Sequence, residues 1–300
     1  MTTASSTATT VTPAPPVRSF LRLVTIEHSV FALPFAYLAA LTAMRSPGES
    51  FVQWGTLGLI TAAMVGARTF AMAANRIIDR EIDAANPRTA QRELVIGTVT
   101  TRNAWIGAVV ALAVFLASAA ALGRLPLVLA PVAVVPMIVY PYAKRFTDYP
   151  HAVLALAQAV APIGAWIAVT GHWSWHAVVL GVGVGLWIGG FDLVYACQDT
   201  ESDREQGVRS FPARWGNRAA LRTARVVHAV VFGLYAWFGV LEDFGPIWYA
   251  GLAATAAAFT YQHAIVGPDD LRRVNRSFFT ANGFVGLALG AAGAVDLILR

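Results

Sequence analysis

Charge and cysteine are what this 300-residue chain has least of. Only 13% of its residues are charged while 57% are hydrophobic, too little charge to keep a water-facing globule of this size in solution. Cys197 is the single cysteine, which excludes a disulfide or a cysteine-built metal site within one chain. Residues 1–16, "MTTASSTATTVTPAPP", lack the basic run and apolar core of a cleaved signal. They read as a disordered tail, residues 1–17, ahead of a single membrane domain over 18–300. The positive excess is small, a net +5 that speaks for topology and anion handling at one face, with no nucleic-acid partner.

What fills the space is long apolar sequence. Stretches of about 20 apolar residues, the length that crosses a bilayer, fall at roughly 24–44, 54–76, 104–123, 125–143, 151–171, 174–198, 219–241, 246–266 and 278–299. The expectation is an all-α membrane protein with nine transmembrane helices around a central cavity. Of the 22 basic residues, all but Arg45, Arg68, Arg124 and Arg300 fall on the tail and the loops after spans two, four, six and eight. By the positive-inside rule this places the N terminus and those loops in the cytoplasm, in a multi-pass protein of the cell (inner) membrane.

Two polar stretches interrupt the apolar pattern, and both fall on that basic face. In "NRIIDREIDAANPRT", Asn75, Asp79 and Asp83 step by four, so on a helix each turns about 40° from the last and the three share a stripe. In "FDLVYACQDTESDREQGVRS", Tyr195, Asp199 and Asp203 repeat the spacing at the end of span six. Oxygen-rich carboxylate clusters suit Mg²⁺, which keeps several waters and is shared between one or two carboxylates and substrate phosphates. Neighbouring arginines and Lys144 suit the phosphate oxygens. An ordinary solvated loop is the plain alternative, and it does not require helical spacing twice.

Arg68, in "AMVGARTFAMAAN", lies inside span two, seven residues before Asn75 and so about 10 Å deeper on the same stripe. Asp192 bears the same relation to Asp199. A cation at that depth is costly on a lipid face, so it is expected to face a polar cavity. Either the two residues form a structural ion pair, or Arg68 is a buried anion-recognition point. The loops at about 77–103 and 199–218 are long for helix connections and carry Pro87, Gly97, Gly207 and Pro212, which predicts lids with short capping helices.

With both motifs intact, the sequence resembles the UbiA superfamily of intramembrane prenyltransferases over nearly the whole chain. The resemblance implies transfer of a polyprenyl group from an allylic diphosphate to an aromatic acid, with Mg²⁺ held by Asn75, Asp79, Asp83, Asp199 and Asp203. It implies that Lys144, in "YPYAKRFT", contacts the diphosphate and that Arg68 lies near the acceptor. Asp192 and Tyr195 match polar positions lining the same cavity, and Asp192 is a candidate to orient a phenolic hydroxyl or receive the ring proton. Phe70 or Tyr195 could lend an aromatic face to the carbocation, with core packing as the default for Phe70. The opening "TIEHSVFALPFAY" departs from the family's usual first-span pattern and leaves Glu27 and His28 without defined jobs. Together with "FDLVYACQDTESDREQGVRSFPA", that opening looks most like the branch tied to the futalosine route to menaquinone, with a dihydroxynaphthoic acid as acceptor and 4-hydroxybenzoate, the ubiquinone-type acceptor, as the alternative. An ion- or proton-coupled transporter is the rival from another class, because span six contains "GVGVGLWIGGFD", a stretch able to interrupt a helix.

Overall fold

The computed structural model describes residues 16–24, 33–45 and 52–299, so Glu27 and His28 lie outside the described residues. Regular structure in these segments is helical, with one isolated bridge between Gly267 and Asp270 and a run of turns over residues 86–100. A short helix α1 (Pro16–Leu23) precedes α2 (Leu33–Ala43), α3 (Trp54–Ile78) and the small α4 (Arg80–Ala85). Then come α5 (Thr101–Leu122), α6 (Arg124–Phe146), α7 (Pro150–Thr170) and α8 (Trp175–Ala196). Two short helices, α9 (Thr200–Glu205) and α10 (Phe211–Trp215), lead into α11 (Asn217–Leu241) and α12 (Pro246–Ile265). The last unit runs from α13 (Val274–Arg276) through a π-turn, Ser277–Ala281, into α14 (Asn282–Leu299).

The expectation of nine spans is corrected to seven helices long and apolar enough to cross a bilayer among the described residues. The other two expected positions also hold helices. Of these, α2 shows 11 residues, because residues 25–32 of the expected first span are not described. Helix α12 has 20 residues but carries Trp248, Tyr249, Tyr261, Gln262 and His263, which lower its mean hydropathy. Helix α1 begins at Pro16, and Leu23 at its end is buried.

Most of α8 is enclosed, with 78% of its most apolar window buried, so it is the axis around which the bundle is built. Phe35 and Leu38 of α2, Leu180 and Trp187 of α8, Tyr235 and Phe238 of α11, Trp248 of α12 and Leu289 of α14 form the main core. By contrast α5 and α6 turn Val109, Val110, Val128, Val132 and Val135 outward, as lipid-facing helices do.

The glycines that raised the transporter possibility do not break α8, which is continuous. They form a smooth seam instead. A Cβ on Gly181 would sit 2.5 Å from the carbonyl oxygen of Ala159, one on Gly185 would collide with that of Ala155, and one on Gly189 would be 3.0 Å from that of His151. Small residues at i, i+4, i+8 let two helix backbones approach closely, and here they bring α7 onto α8.

Candidate functional site

The first motif straddles a helix junction without losing its stripe. At Asp79 the backbone leaves regular helix (φ −92°, ψ 6°), ending α3. Its N–H still donates to the Asn75 carbonyl at 2.9 Å, and the N–H of Asp83 donates to the Asp79 carbonyl at 2.8 Å. Asn75 Nδ2 donates to Asp79 Oδ2 at 3.3 Å. Asp79 and Asp83 are almost wholly buried, 1% and 5% exposed. Buried carboxylates need partners of opposite charge, and the structure supplies them: Lys144 Nζ lies 2.6 Å from Asp79 Oδ2, Arg145 Nη1 lies 3.3 Å from Asp79 Oδ1, and Arg92 Nη1 donates to Asp83 Oδ1. Pro131, Pro136 and Pro141 lack the N–H that would continue the hydrogen-bond ladder of α6, and the Pro141 carbonyl accepts from Arg145 Nη1 at 2.8 Å.

The second motif is more open. Tyr195 closes α8, Asp199 ends a 3-10 turn and Asp203 lies in α9. Asp199 accepts from Arg88 Nε at 2.7 Å and from Asn86 Nδ2 at 2.9 Å. Burial alone would lower the Arg88 pKa, but the hydrogen bond and negative charge of Asp199 outweigh it and raise it above the ordinary arginine value. The same guanidinium lies over the Tyr195 ring, 5.2 Å from its centre, and donates to its hydroxyl at 3.2 Å. Asp203 is held by a neutral group, Ser210 Oγ, at 2.7 Å.

These contacts join the motifs. Asn86 and Arg88, just past the first, close on Asp199 of the second. The N–H of Arg209, just past the second, donates at 2.8 Å to the carbonyl of Lys144, whose side chain holds Asp79. The loops carrying these bridges have the expected build. Residues 86–100 form a run of turns with Gly97 at φ 79°, while Gly207 at φ 67° and Pro212 at the start of α10 separate the short helices of the second loop.

Sequence reading had not singled out Arg88, Arg92 or Asn86; they lie in an irregular loop, where no periodicity marks them, although their place just past an acidic motif was visible. Nor is there an Arg68–Asp192 ion pair. Asp192 Oδ2 instead faces His151 Nδ1 at 2.6 Å, and Arg68 Nε is buried without a hydrogen-bond partner. Phe70 belongs to a core cluster with Leu23, Ala73 and Leu94, so packing accounts for it. Phe278 takes the aromatic position instead. The π-turn widens the helix by a residue and sets its ring 4.7 Å from that of Tyr195 and 5.0 Å from that of Phe191.

Among the described residues, no three of His, Cys, Asp and Glu are gathered closely enough to hold an ion as they stand. The donor chemistry nonetheless fits Mg²⁺, being carboxylate and amide oxygens. Asp79, Asp83 and Asp199 each carry a cationic group, which is the charge a bound divalent ion would otherwise provide.

Comparison with known proteins agrees with this geometry. The model of the UbiA prenyltransferase family matches residues 32–284. A 4-hydroxybenzoate octaprenyltransferase of Burkholderia orbicola (strain MC0-3) is 30% identical over 285 residues, covering 93% of this chain and 96% of its own length. The apo structure of a UbiA homolog from Aeropyrum pernix K1 has a TM-score of 0.81 at 35% identity and covers 90% of this chain and 98% of that one. A UbiA homolog from Archaeoglobus fulgidus bound to GPP and Mg²⁺ shares the fold at 20% identity, with a TM-score of 0.71 over 93% of this chain and 99% of its own.

Proposed function

The chain belongs to the UbiA prenyltransferase family, and from that premise we propose that it joins a polyprenyl group from an allylic diphosphate to a hydroxylated aromatic carboxylic acid in a Mg²⁺-dependent reaction. The observation that carries this reading is the closure of the two acidic helix ends on one another through Asn86, Arg88 and Asp199 and through Arg209, Lys144 and Asp79. Relatives named 4-hydroxybenzoate octaprenyltransferase support 4-hydroxybenzoate as the first acceptor to consider. The dihydroxynaphthoate reading rests on the likeness of "EHSVFALPFAY" and "FDLVYACQDTESDREQGVRSFPA" to another branch of the family, and takes second place.

Departure of the diphosphate builds negative charge on phosphate oxygens and positive charge on the allylic carbon. Mg²⁺, held by Asn75, Asp79, Asp83, Asp199 and Asp203, would neutralise the first charge when bound. Lys144, Arg88 and Arg92 now rest on carboxylates and are the groups able to exchange them for phosphate oxygens, adding electrostatic stabilisation as the C–O bond breaks. Water is kept from the carbocation by apolar spans, and the faces of Tyr195 and Phe278 stand beside Arg88 at the mouth. Arg68, unpaired at Nε, suits the carboxylate of the acceptor, which it would orient from below. The loops 77–103 and 199–218 act as lids over a single prenyltransferase domain, residues 18–300, with this face in the cytoplasm.

The test is prenyl transfer in reconstituted membranes with Mg²⁺ and an allylic diphosphate, with 4-hydroxybenzoate and dihydroxynaphthoate in separate reactions and Asp79→Asn as control. Mass spectrometry of the lipid extract is expected to show prenylated 4-hydroxybenzoate, lost with the control and on chelation of Mg²⁺. Product only from dihydroxynaphthoate would reverse the order of acceptors, and no product from any aromatic acid with folded protein would sink the reading.

A further inference from the structure

The glycine seam between α7 and α8 has a chemical consequence at its lower end. Because Gly189 lets the backbone of α7 approach at His151, the first turn of α7 lies directly against Asp192. His151 Nδ1 then lies 2.6 Å from Asp192 Oδ2. The histidine is buried, 6% exposed, and its other ring nitrogen, Nε2, is sealed from solvent without a partner. Asp192 is different. No hydrogen bond reaches its Oδ1 among the described residues, and its side chain retains 18% exposure. One carboxylate oxygen is therefore tied and the other free.

The surroundings place this pair beside the diphosphate site. Tyr140 of α6 is close enough to both Asp192 and Asp79 for their charges to act on it, and His151 stands in the same relation to Asp203. The dyad thus lies near both acidic motifs, and Asp192 precedes Asp199 by seven residues, about two helical turns, as Arg68 precedes Asn75. An ionised Asp192 satisfies the contact when the imidazole proton is on Nδ1, the arrangement by which a carboxylate and a histidine fix one another's orientation.

Ring prenylation needs such a base. A phenol is a weak carbon nucleophile, and its ring becomes far more reactive as the hydroxyl proton leaves. We propose that Asp192 is the catalytic base for the acceptor's hydroxyl and that His151 is a positioning residue, holding Oδ2 so that Oδ1 faces that hydroxyl. This rests on the reading of the site as one that prenylates a hydroxylated ring. In the step, the hydroxyl proton passes to Asp192 Oδ1 as a ring carbon forms its bond to the allylic carbon. The diphosphate leaves with the electrons of the C–O bond. The neutral dienone then loses its ring proton to the departed diphosphate and regains the hydroxyl proton from Asp192, so the carboxylate is restored.

The test compares His151→Leu, His151→Asn and Asp192→Asn in proteoliposomes, since asparagine places an amide N–H where Nδ1–H stands and leucine does not. Turnover and the KM of each substrate are measured with 4-hydroxybenzoate and with ring-fluorinated analogues that have a more acidic hydroxyl and a free ring position beside it. We expect His151→Leu and Asp192→Asn to lower kcat about 10²-fold or more, with the KM of the allylic diphosphate unchanged. The deficit is expected to shrink as the hydroxyl becomes more acidic. His151→Asn is expected to recover most of the rate, and if the leucine variant does not fold, it and Asp192→Asn carry the test with the same acceptor series. A deficit constant across the series, or equal losses in His151→Asn and His151→Leu, would overturn the dyad and leave a structural tie between helices. Wild-type protein inactive on every hydroxylated acid would instead remove the functional reading on which the dyad rests.

Discussion

The two acidic helix ends carry the same spacing and meet at the same face, yet they are built differently. In the first, Asp79 and Asp83 are buried and matched by Lys144, Arg145 and Arg92. In the second, Asp199 shares a half-open pair with Arg88, and Asp203 is held by the neutral Ser210 hydroxyl. One spacing thus serves two purposes. A carboxylate sealed from water depends on its counter-charge, so the first end is bound up with the stability of the bundle. The second keeps its carboxylates less committed and is free to respond to what binds.

Stability measurements on counter-charge variants would sharpen or break this contrast. Arg92→Met removes the cation paired with buried Asp83 and should have the largest effect, about 4 kcal/mol. Lys144→Met leaves Arg145 on Asp79 and should lose about 3 kcal/mol. Arg88→Met disturbs the less buried Asp199 and should lose about 2 kcal/mol, the worth of a charge-assisted hydrogen bond. Ser210→Ala removes a neutral donor and should lose about 1 kcal/mol. Thermal unfolding in one detergent would rank the four, and Arg88→Met falling below Arg92→Met in melting temperature would break the comparison. Activity should not follow this ranking, because Asp83→Asn and Asp203→Asn are both expected to abolish prenyl transfer while only the first melts well below wild type.

Most of the bundle was legible because a bilayer enforces long apolar runs, and α3, α5, α6, α7, α8, α11 and the last helical unit begin and end within a few residues of those runs. The count was less legible at α12, where Gln262 and His263 dilute an apolar helix that tertiary packing nonetheless holds. Within the site, Asn75, Asp79 and Asp83 could be read because the backbone keeps an i→i+4 register across the junction at Asp79. The partner of Asp192 could not. His151 is 41 residues away, and its approach depends on a glycine seam whose spacing reads equally well as a helix breaker. Phe278 was hidden for a similar reason, since a local π-turn decides where its ring points.

The central claim is that both acidic ends form one metal–diphosphate site, with the second end the responsive half. The most direct measurement is the melting temperature of wild type and Asp203→Asn with Mg²⁺, with geranyl thiolodiphosphate, and with both. Ligand that binds only the folded state at about a hundred times its Kd adds about 2.7 kcal/mol of stability. The account predicts a rise in wild type only when both are present and none in Asp203→Asn, whose own melting temperature stays near that of wild type. An undiminished rise in Asp203→Asn would contradict it, because the site would then be complete without the second motif.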